Sequence, residues 1–270
     1  MNRRSRLALA ASLSLALVAL ALAGCSASKV TSPQNALNAT QSNEAAAEVG
    51  MMVYAGSAPS PVPASLTAGG PASPSSLRGG FAPPAMAETT ITNGNVVWTL
   101  AVHWFDAGSN EQPNYDPATT VRMHADSRGT GSVTGPNGAA TLGSGGVLDM
   151  SGIDQAATQL TTNATRNDTL SWTASGPSGS ISTLTHSTGT LANVIEAKPT
   201  NQNYPASGTG TWDLDVNRQI AGSGGGSYSE HFVAHVVVTF NGTHLVPLVV
   251  NGTNHFLLDL NTGQVTQVQA

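Results

Sequence analysis

Apolar and polar residues alternate with a period of two through long stretches of this chain after residue 88. From residue 96 to residue 104, apolar side chains occupy every second position, which places them on one face of a β-strand. The same alternation recurs in residues 121–125, 170–174 and 212–216. All four tryptophans fall on the apolar parity of such segments: Trp98, Trp104, Trp172 and Trp212. These segments therefore predict strands that share one buried sheet face.

The C-terminal part of the chain carries the clearest hairpin signals. Apolar residues alternate from Phe232 to Phe240, and Asn-Gly or Asn-Thr-Gly turn signals begin at Asn241, Asn251 and Asn261. Asn-Gly favours a type I′ turn, because both central residues of that turn need a positive φ. The seven-residue runs between the turns would each span roughly 23 Å as strands and predict an antiparallel meander. Pro247 cannot donate a ladder hydrogen bond, so we expect a bulge or a sheet edge there.

Weaker alternation, with Thr and Ser on the outward parity, predicts further strands over roughly 140–150, 156–166, 179–186 and 188–197. Asn-Gly pairs at 93–94 and 137–138 mark earlier turns. The expected fold is all-β: an antiparallel up-and-down meander of roughly 10–13 strands, as a barrel or a strongly curved open sheet. A two-layer sandwich is the second alternative. A membrane-spanning barrel is the third, because its lipid-facing parity should be continuously apolar and girdled by aromatic residues.

Residues 25–88 separate the start of the chain from the predicted all-β domain at 89–270. Residues 26–42 predict a flexible tether, and the Pro-, Gly-, Ser- and Ala-rich residues 56–88 predict a spacer without a core of its own. Between them a short helix is expected over 43–54, with Ser42 or Asn43 as its cap. Its apolar face would contain Ala45, Val49, Met52 and Val53. Such a helix is marginal alone, so it either docks or frays, or it covers an apolar cavity as a lid.

The first 25 residues have the layout of a secretory signal peptide, with three early arginines and an apolar run over residues 7–23. The run ends in Leu22-Ala23-Gly24-Cys25, which resembles the lipobox of bacterial lipoproteins. That resemblance covers only residues 1–25. It implies cleavage of residues 1–24 and attachment of acyl chains, such as palmitate, to Cys25 as a membrane anchor. Ser26 after the cysteine resembles the default pattern for outer-membrane sorting. An ordinary signal peptide with a chance cysteine is the alternative.

Composition narrows the range of partners. The formal net charge is −5, and loss of residues 1–24 removes three arginines and no acid, which takes the charge to −8. Charged residues are only 9% of the chain and form no basic patch, so nucleic acid is not expected as a partner. Cys25 is the single cysteine, so no disulfide can form within the chain. Stability must therefore come from an ordinary core.

Motif searches give no catalytic, nucleotide-binding or cofactor signature, so neither an enzyme nor a cofactor is expected. His231 and His235 share a strand face but lie roughly 13 Å apart, too far for one metal ion. The acidic loop from Asp106 to Asp116 has oxygen ligands but an unsuitable spacing for calcium, so a plain surface loop is favoured. Asp213 and Asp215 alternate with apolar residues, so both are expected on the solvent-exposed face of the sheet. No metal site is predicted, and His103 is expected to face outward.

The leading functional hypothesis is a non-enzymatic envelope lipoprotein whose meander binds an apolar or lipid-like molecule. Its architecture is loosely similar to the half-barrel with helical lid of bacterial lipoprotein carriers and receptors, an analogy of fold alone. The apolar ligand face is expected to be formed by Trp98, Trp104, Trp172, Trp212, Phe232 and Phe240. The alternative is a structural or surface-adhesive module with a filled core, and an enzyme is the third hypothesis.

Overall fold

A computed structural model describes residues 37–54, 88–93, 95–135, 138–198 and 204–268. The predicted signal peptide, Cys25 and residues 55–87 of the tether and spacer lie outside the described residues, as does the Asn-Gly turn position at 137. The described part contains one helix, α1 (Ala39–Tyr54), and one sheet. The strands are β1 (Thr89–Asn93), β2 (Val96–Asp106), β3 (Glu111–Gln112), β4 (Thr120–Gly135), β5 (Gly138–Ser151), β6 (Gln159–Gly176), β7 (Gly179–Ala197), β8 (Ser207–Gly222), β9 (Ser227–Phe240), β10 (Leu245–Val250), β11 (Asn254–Asp259) and β12 (Val265–Gln267).

The sheet is an up-and-down antiparallel meander, as the alternation predicts. Its order is β1-β2-β4-β5-β6-β7-β8-β9-β10-β11-β12, and β3 pairs only with β2. Each ladder therefore joins strands that are neighbours in sequence, apart from the short β3 insertion between β2 and β4. The sheet is open: β1 and β12 lie at its two ends, and no ladder within the described residues joins them. The predicted all-β meander is confirmed, in its open form.

The central strands are longer than the sequence pattern suggests. The apolar segments at 156–166 and 170–174 belong to one strand, β6, and those at 179–186 and 188–197 belong to β7. β7 has 19 residues, which corresponds to roughly 60 Å of extended chain. The predicted breaks were wrong because polar residues on the buried parity interrupt the apolar pattern without interrupting the ladder. A bulge at Asn193 (φ 49°) shifts the register of β7 against both neighbours.

The two faces of the sheet differ sharply, and the face covered by α1 is called the inner face. It carries two apolar clusters of buried residues. The first cluster joins α1 to β8–β11 around Trp212, Leu214 and Val236. The second joins β2, β4, β5 and β6 around Trp104, Leu148 and Leu160. The opposite, outer face is polar, with Thr, Asn, Asp and His alternating along the strands.

Helix α1 begins earlier than predicted. The Asn38 side chain accepts a hydrogen bond from the Gln41 N–H at 2.9 Å, and the Gln41 side chain accepts one from the Asn38 N–H at 3.0 Å. This reciprocal capping box starts the helix at Ala39 instead of residue 43. Ser42, expected as a cap, is buried within the helix, and the end of the predicted tether is helical.

The predicted apolar face of α1 is confirmed, and the helix docks on the sheet. Ala45 and Val49 are fully buried, and Met52 and Val53 pack against the same cluster. Gly50 permits the close approach, because a Cβ at this position would lie 2.6 Å from the Val265 side chain. The helix contacts β9, β10, β11 and β12. No helix within the described residues is long and apolar enough to cross a membrane.

The C-terminal turns follow the predicted type I′ chemistry at Asn251-Gly252 but not at Asn241-Gly242, where only the glycine has a positive φ. Asn251 and Gly252 have φ values of 49° and 70°, which are the positive angles that a type I′ turn needs. Pro247 lies at a local edge, because β10 pairs with β9 only from Leu248 onward while its pairing with β11 includes Pro247. A Gly-rich loop over residues 223–226 connects β8 to β9.

Candidate functional site: a polar lane on the inner face

All six residues of the predicted ligand face lie on the inner parity of the sheet. Four of them are packed inside the apolar clusters: Trp104, Trp212, Phe232 and Phe240 are each 7% exposed or less. Trp98 and Trp172 are half-buried. The aromatic residues are therefore divided between a filled core and a smaller part of the inner face that remains accessible.

Glycines on the inner face make room for large side chains. A Cβ on Gly129 would lie 2.6 Å from the Trp98 ring, so Trp98 rests directly on the β4 backbone. The Arg166 guanidinium approaches the same ring, with its carbon 5.7 Å from the ring centroid. Gly146 lies opposite both Ser127 on β4 and Arg166 on β6, and it adds no side chain between them. The glycine positions thus allow Trp98 on β2 and Arg166 on β6 to meet.

Along β7, the inner parity is polar instead of apolar. Thr183, Thr185 and Ser187 occupy successive inner positions and are each 5% exposed or less. Thr183 is directly opposite Arg218 of β8, and Ser187 is directly opposite Asp168 of β6, whereas Thr185 between them has apolar neighbours on both strands. We call this region the polar lane: Thr183, Thr185 and Ser187 of β7, with Arg166, Asp168, Arg218, Glu230, Glu44 and Glu48 around them.

Ion pairs lie on both sides of the polar lane. On β6, Arg166 Nε lies 2.7 Å from Asp168 Oδ1, and both side chains are largely buried. On the other side, Arg218 of β8 contacts Glu44 of α1 through Nη2 and Glu230 of β9 through Nη1, the latter at 3.0 Å. Gln41 of α1 donates a 2.8 Å hydrogen bond to Glu230. The polar edge of the helix is therefore bound to the sheet through Arg218 and Glu230.

Glu48 differs from the other acids of the polar lane. It lies one helical turn beyond Glu44, and within the described residues it makes neither a hydrogen bond nor an ion pair. The pKa of Glu48 is raised from 4.5 to about 7, chiefly by burial and also by the nearby Glu44 and Asp168 carboxylates, while the Arg218 guanidinium lowers it. The side chain keeps partial solvent access, so water reaches it while its hydration stays incomplete. Among the described residues Glu48 therefore forms no ion pair, and two other acids, Glu44 and Asp168, lie near it.

Two further groups in the polar lane have hydrogen-bonding capacity that the described protein does not use. The Thr183 hydroxyl is buried without a partner, and Arg218 Nε is buried without an acceptor. Thr183 and Arg218 are directly opposite each other on β7 and β8. Native proteins satisfy nearly all such groups, and unpaired ones are common at sites that bind water or ligands.

An apolar margin borders the polar lane on its β5–β6 side. Leu142, Leu170 and Trp172 lie on the inner parity, where Leu170 is opposite Leu142 and Trp172 is opposite Thr183. All three are half-buried. Helix α1 packs on the strands at the other end of the sheet, so these side chains belong to the part of the inner face that it leaves uncovered. We call these three residues the apolar margin.

The outer face gathers most of the histidines and the remaining candidate acids. Asp213 pairs with His235 at 2.7 Å and Asp215 pairs with His231 at 3.0 Å, and all four side chains are about half exposed. His103 also faces outward, 2.6 Å from Glu111. These outward placements confirm the predictions. Among the described residues no group of three or more His, Cys, Asp or Glu side chains is arranged to hold a metal ion.

The acidic loop after β2 is organised by its own hydrogen bonds. Asp106 accepts hydrogen bonds from the backbone and side chain of Asn110, and these bonds lower the pKa of Asp106. Asp116 caps the following turn through the Ala118 N–H. Both carboxylates therefore serve the loop itself, in keeping with the predicted surface loop.

The polar lane was missed by sequence reasoning. A usable signal is present, because Arg166, Asp168 and Arg218 fall on the same parity as the buried apolar residues of their strands.

No protein family, curated protein or solved structure matches this chain.

Proposed function

We propose that this chain is a lipid-anchored protein of the bacterial cell envelope that binds a lipid-like molecule on the inner face of its open sheet. The protein acts without catalysis and is held at the membrane by acyl chains on Cys25. In an organism with two membranes, the outer membrane is the expected location. The bound molecule lies across the apolar margin and the neighbouring polar lane.

The anchor is supported by the sequence Leu22-Ala23-Gly24-Cys25 behind a basic start and an apolar run. Two or more acyl chains hold a protein stably at a bilayer, whereas one chain holds it weakly. Residues 26–38 would then tether α1 and the sheet to the membrane from which a lipid-like ligand would come.

Ligand binding is supported by one observation above all: the apolar margin is only half-buried, although it lies on the face that elsewhere forms the core. Leu142, Leu170 and Trp172 border a region with unused hydrogen-bonding groups. Binding sites for small molecules combine an apolar lining with a few convergent polar groups. The inner face between β5 and β8 has that composition.

A structural or adhesive module is the second candidate, and it too has a specific observation in its favour. Trp104, Trp212, Phe232 and Phe240 are packed within the core, which leaves a smaller accessible apolar area than the sequence suggests. A filled core with a polar outer face would suit a spacer or adhesive domain. The apolar margin is the feature that favours the ligand-binding function over this alternative.

Native mass spectrometry separates the two functions. The chain after the expected cleavage point, with Cys25→Ser, would be exported to the periplasm and measured before and after denaturation, with lipid analysis of a solvent extract. A stoichiometric adduct that is lost on denaturation supports the ligand-binding function. A bare mass that is unchanged after incubation with membrane extract contradicts it and favours the structural module. Metabolic labelling with palmitate, lost in Cys25→Ser, tests the anchor separately.

A further inference from the structure

The charges around the polar lane are unequal. Glu44, Glu48, Asp168 and Glu230 contribute four carboxyl groups, while Arg166 and Arg218 contribute two guanidinium groups. Arg166 pairs with Asp168, and Arg218 is shared between Glu44 and Glu230. Within the part of the chain that the structure describes, Glu48 has no ion-pair partner of its own, since the nearby Arg218 already pairs with Glu44 and Glu230. A buried or half-buried acid in this position is stabilised most by a positive charge that arrives from outside the protein.

A second observation is independent of this charge balance. The Thr183 hydroxyl is 3% exposed and has no hydrogen-bond partner. It lies on the inner parity of β7, directly between Trp172 on β6 and Arg218 on β8. A hydroxyl accepts hydrogen bonds as well as donating one, so Thr183 offers an acceptor inside the polar lane.

We propose that the polar lane binds the cationic amino head of an amphiphile, with Glu48 as its counter-ion and the apolar margin in contact with its alkyl chain. This assignment rests on the proposed ligand-binding function and specifies its ligand class. An ammonium group has three donors and no acceptor, which suits a lane whose free groups include the Glu48 carboxylate and the Thr183 hydroxyl. An anionic head group would instead meet four carboxyl groups and only two guanidinium groups, which are already paired with Asp168, Glu44 and Glu230.

The positions of head and tail are consistent with one molecule. Thr183 is directly opposite Trp172 on β6, and Leu170 lies two residues from Trp172 on the same face, which corresponds to roughly 6.6 Å. Leu142 is directly opposite Leu170. An alkyl chain whose head is bound at Thr183 can therefore contact Trp172 first and then run over Leu170 and Leu142.

Protonation couples to binding in this arrangement. Since the pKa of Glu48 is raised to about 7, the free protein holds a proton on this carboxyl in mildly acidic solution. A neighbouring ammonium favours the ionised carboxylate, so binding of an amine releases that proton. Below the raised pKa, affinity for the amine is expected to fall about tenfold for each pH unit. Glu44, Asp168, Glu230, Arg166 and Arg218 are the other charged groups around Glu48.

The test compares dodecylamine with dodecanoate and dodecanol, each below its aggregation concentration, by isothermal titration of the chain that follows the expected cleavage point, with Cys25→Ser. Dodecylamine is expected to bind at least about tenfold more tightly than dodecanoate. Glu48→Gln should weaken dodecylamine binding about tenfold and leave dodecanol binding unchanged. Glu196→Gln is the matched control, because burial also raises the pKa of Glu196, which lies on β7 opposite Leu160 in the second apolar cluster.

A measurement on the unmodified site avoids dependence on the variants. Titration of dodecylamine in two buffers of different ionisation enthalpy, slightly below neutral pH, should show release of more than about half a proton for each amine bound, because Glu48 is mostly protonated there. Equal binding of all three amphiphiles, with no proton release, would overturn the amine assignment while leaving the ligand-binding function in place. No binding of any of the three would contradict both.

Discussion

Arg218 of β8 contacts Glu44 of α1 although the two residues are 174 positions apart in sequence. The same guanidinium holds Glu230 of β9 at 3.0 Å, so one side chain joins the helix to two strands. The apolar face of α1 supplies the area of contact, and Arg218 fixes the polar edge of the helix against the sheet. Removal of Arg218 would leave the partly buried carboxylates of Glu44 and Glu230 without their shared cation.

Arg218→Ala should therefore destabilise the protein by about 3 kcal/mol, because loss of one partner leaves buried charge uncompensated. Urea unfolding monitored by tryptophan fluorescence measures the change. Arg128→Ala is the control: Arg128 is exposed on the outer face of β4, and its loss should alter the free energy of unfolding by less than about 0.5 kcal/mol. Equal effects of the two substitutions would contradict the role of Arg218.

Glu48 gives the stability of the fold a defined pH dependence. Its pKa is raised from 4.5 to about 7 in the folded protein, so the folded state binds the proton more tightly than the unfolded state. This contribution to stability is fully present below the unfolded pKa of 4.5 and is lost as pH rises through about 7. The loss amounts to about 3 kcal/mol at one pKa unit per 1.4 kcal/mol.

Urea unfolding of the wild type and of Glu48→Gln at a series of pH values isolates this contribution, since the other titrating groups are common to both. The free energy of unfolding of Glu48→Gln should rise relative to that of the wild type as pH rises from mildly acidic to mildly alkaline. If the difference in the free energy of unfolding between the two proteins stays constant across this range, the raised pKa of Glu48 does not contribute to the pH dependence of stability.

Gly129 is expected to be intolerant of any side chain. A Cβ there would lie 2.6 Å from the Trp98 ring, and the ring is also in contact with the Arg166 guanidinium. Gly129→Ala should cost about 1–3 kcal/mol of stability through overpacking. Gly143→Ala on β5 is the matched control, because a Cβ there meets nothing within 4 Å. Trp98→Leu in the Gly129→Ala background should recover part of the loss, and a double-mutant cycle measures the recovery.

At Gly50, helix propensity and packing against the sheet favour different residues. Alanine at an interior helical position gains about 1 kcal/mol over glycine. At position 50, however, a Cβ would lie 2.6 Å from the Val265 side chain and 2.9 Å from the Gly263 carbonyl oxygen. Overpacking costs about 1–3 kcal/mol, and a backbone carbonyl yields less readily than a flexible side chain. We expect Gly50→Ala to lower the midpoint of thermal unfolding, and a rise would mean that α1 docks less closely than described.

The period-two pattern predicted the meander well, because side chains of a sheet with one buried face must alternate. Trp98, Trp104, Trp172 and Trp212 share the inner parity for that reason. Strand lengths could not be predicted in the same way, since Arg166 and Asp168 occupy buried positions that the pattern reserves for apolar residues. Their burial depends on partners brought together by folding, so it is invisible in a local window of sequence.

The start of α1 was missed for a related reason. Asn38 and Gln41 form a capping box, but they lie in a polar stretch that resembles a tether, while Ser42 and Asn43 stand directly before the apolar positions. The choice between these caps is made by the sheet, because docking buries Ser42 and directs Gln41 toward Glu230. Tertiary contact, not local propensity, sets the helix boundary.

The placement of α1 also dictates an order of events during biogenesis. Every major ladder joins neighbouring strands, so the sheet can grow hairpin by hairpin as the chain emerges. Helix α1 is the exception: it leaves the exit channel before any strand, yet its docking surface is formed by β9–β12, which emerge last. The helix therefore stays undocked until synthesis of the domain is nearly complete. A chain truncated before β9 would lack the docking surface of α1 and would leave the apolar side of the helix exposed to water.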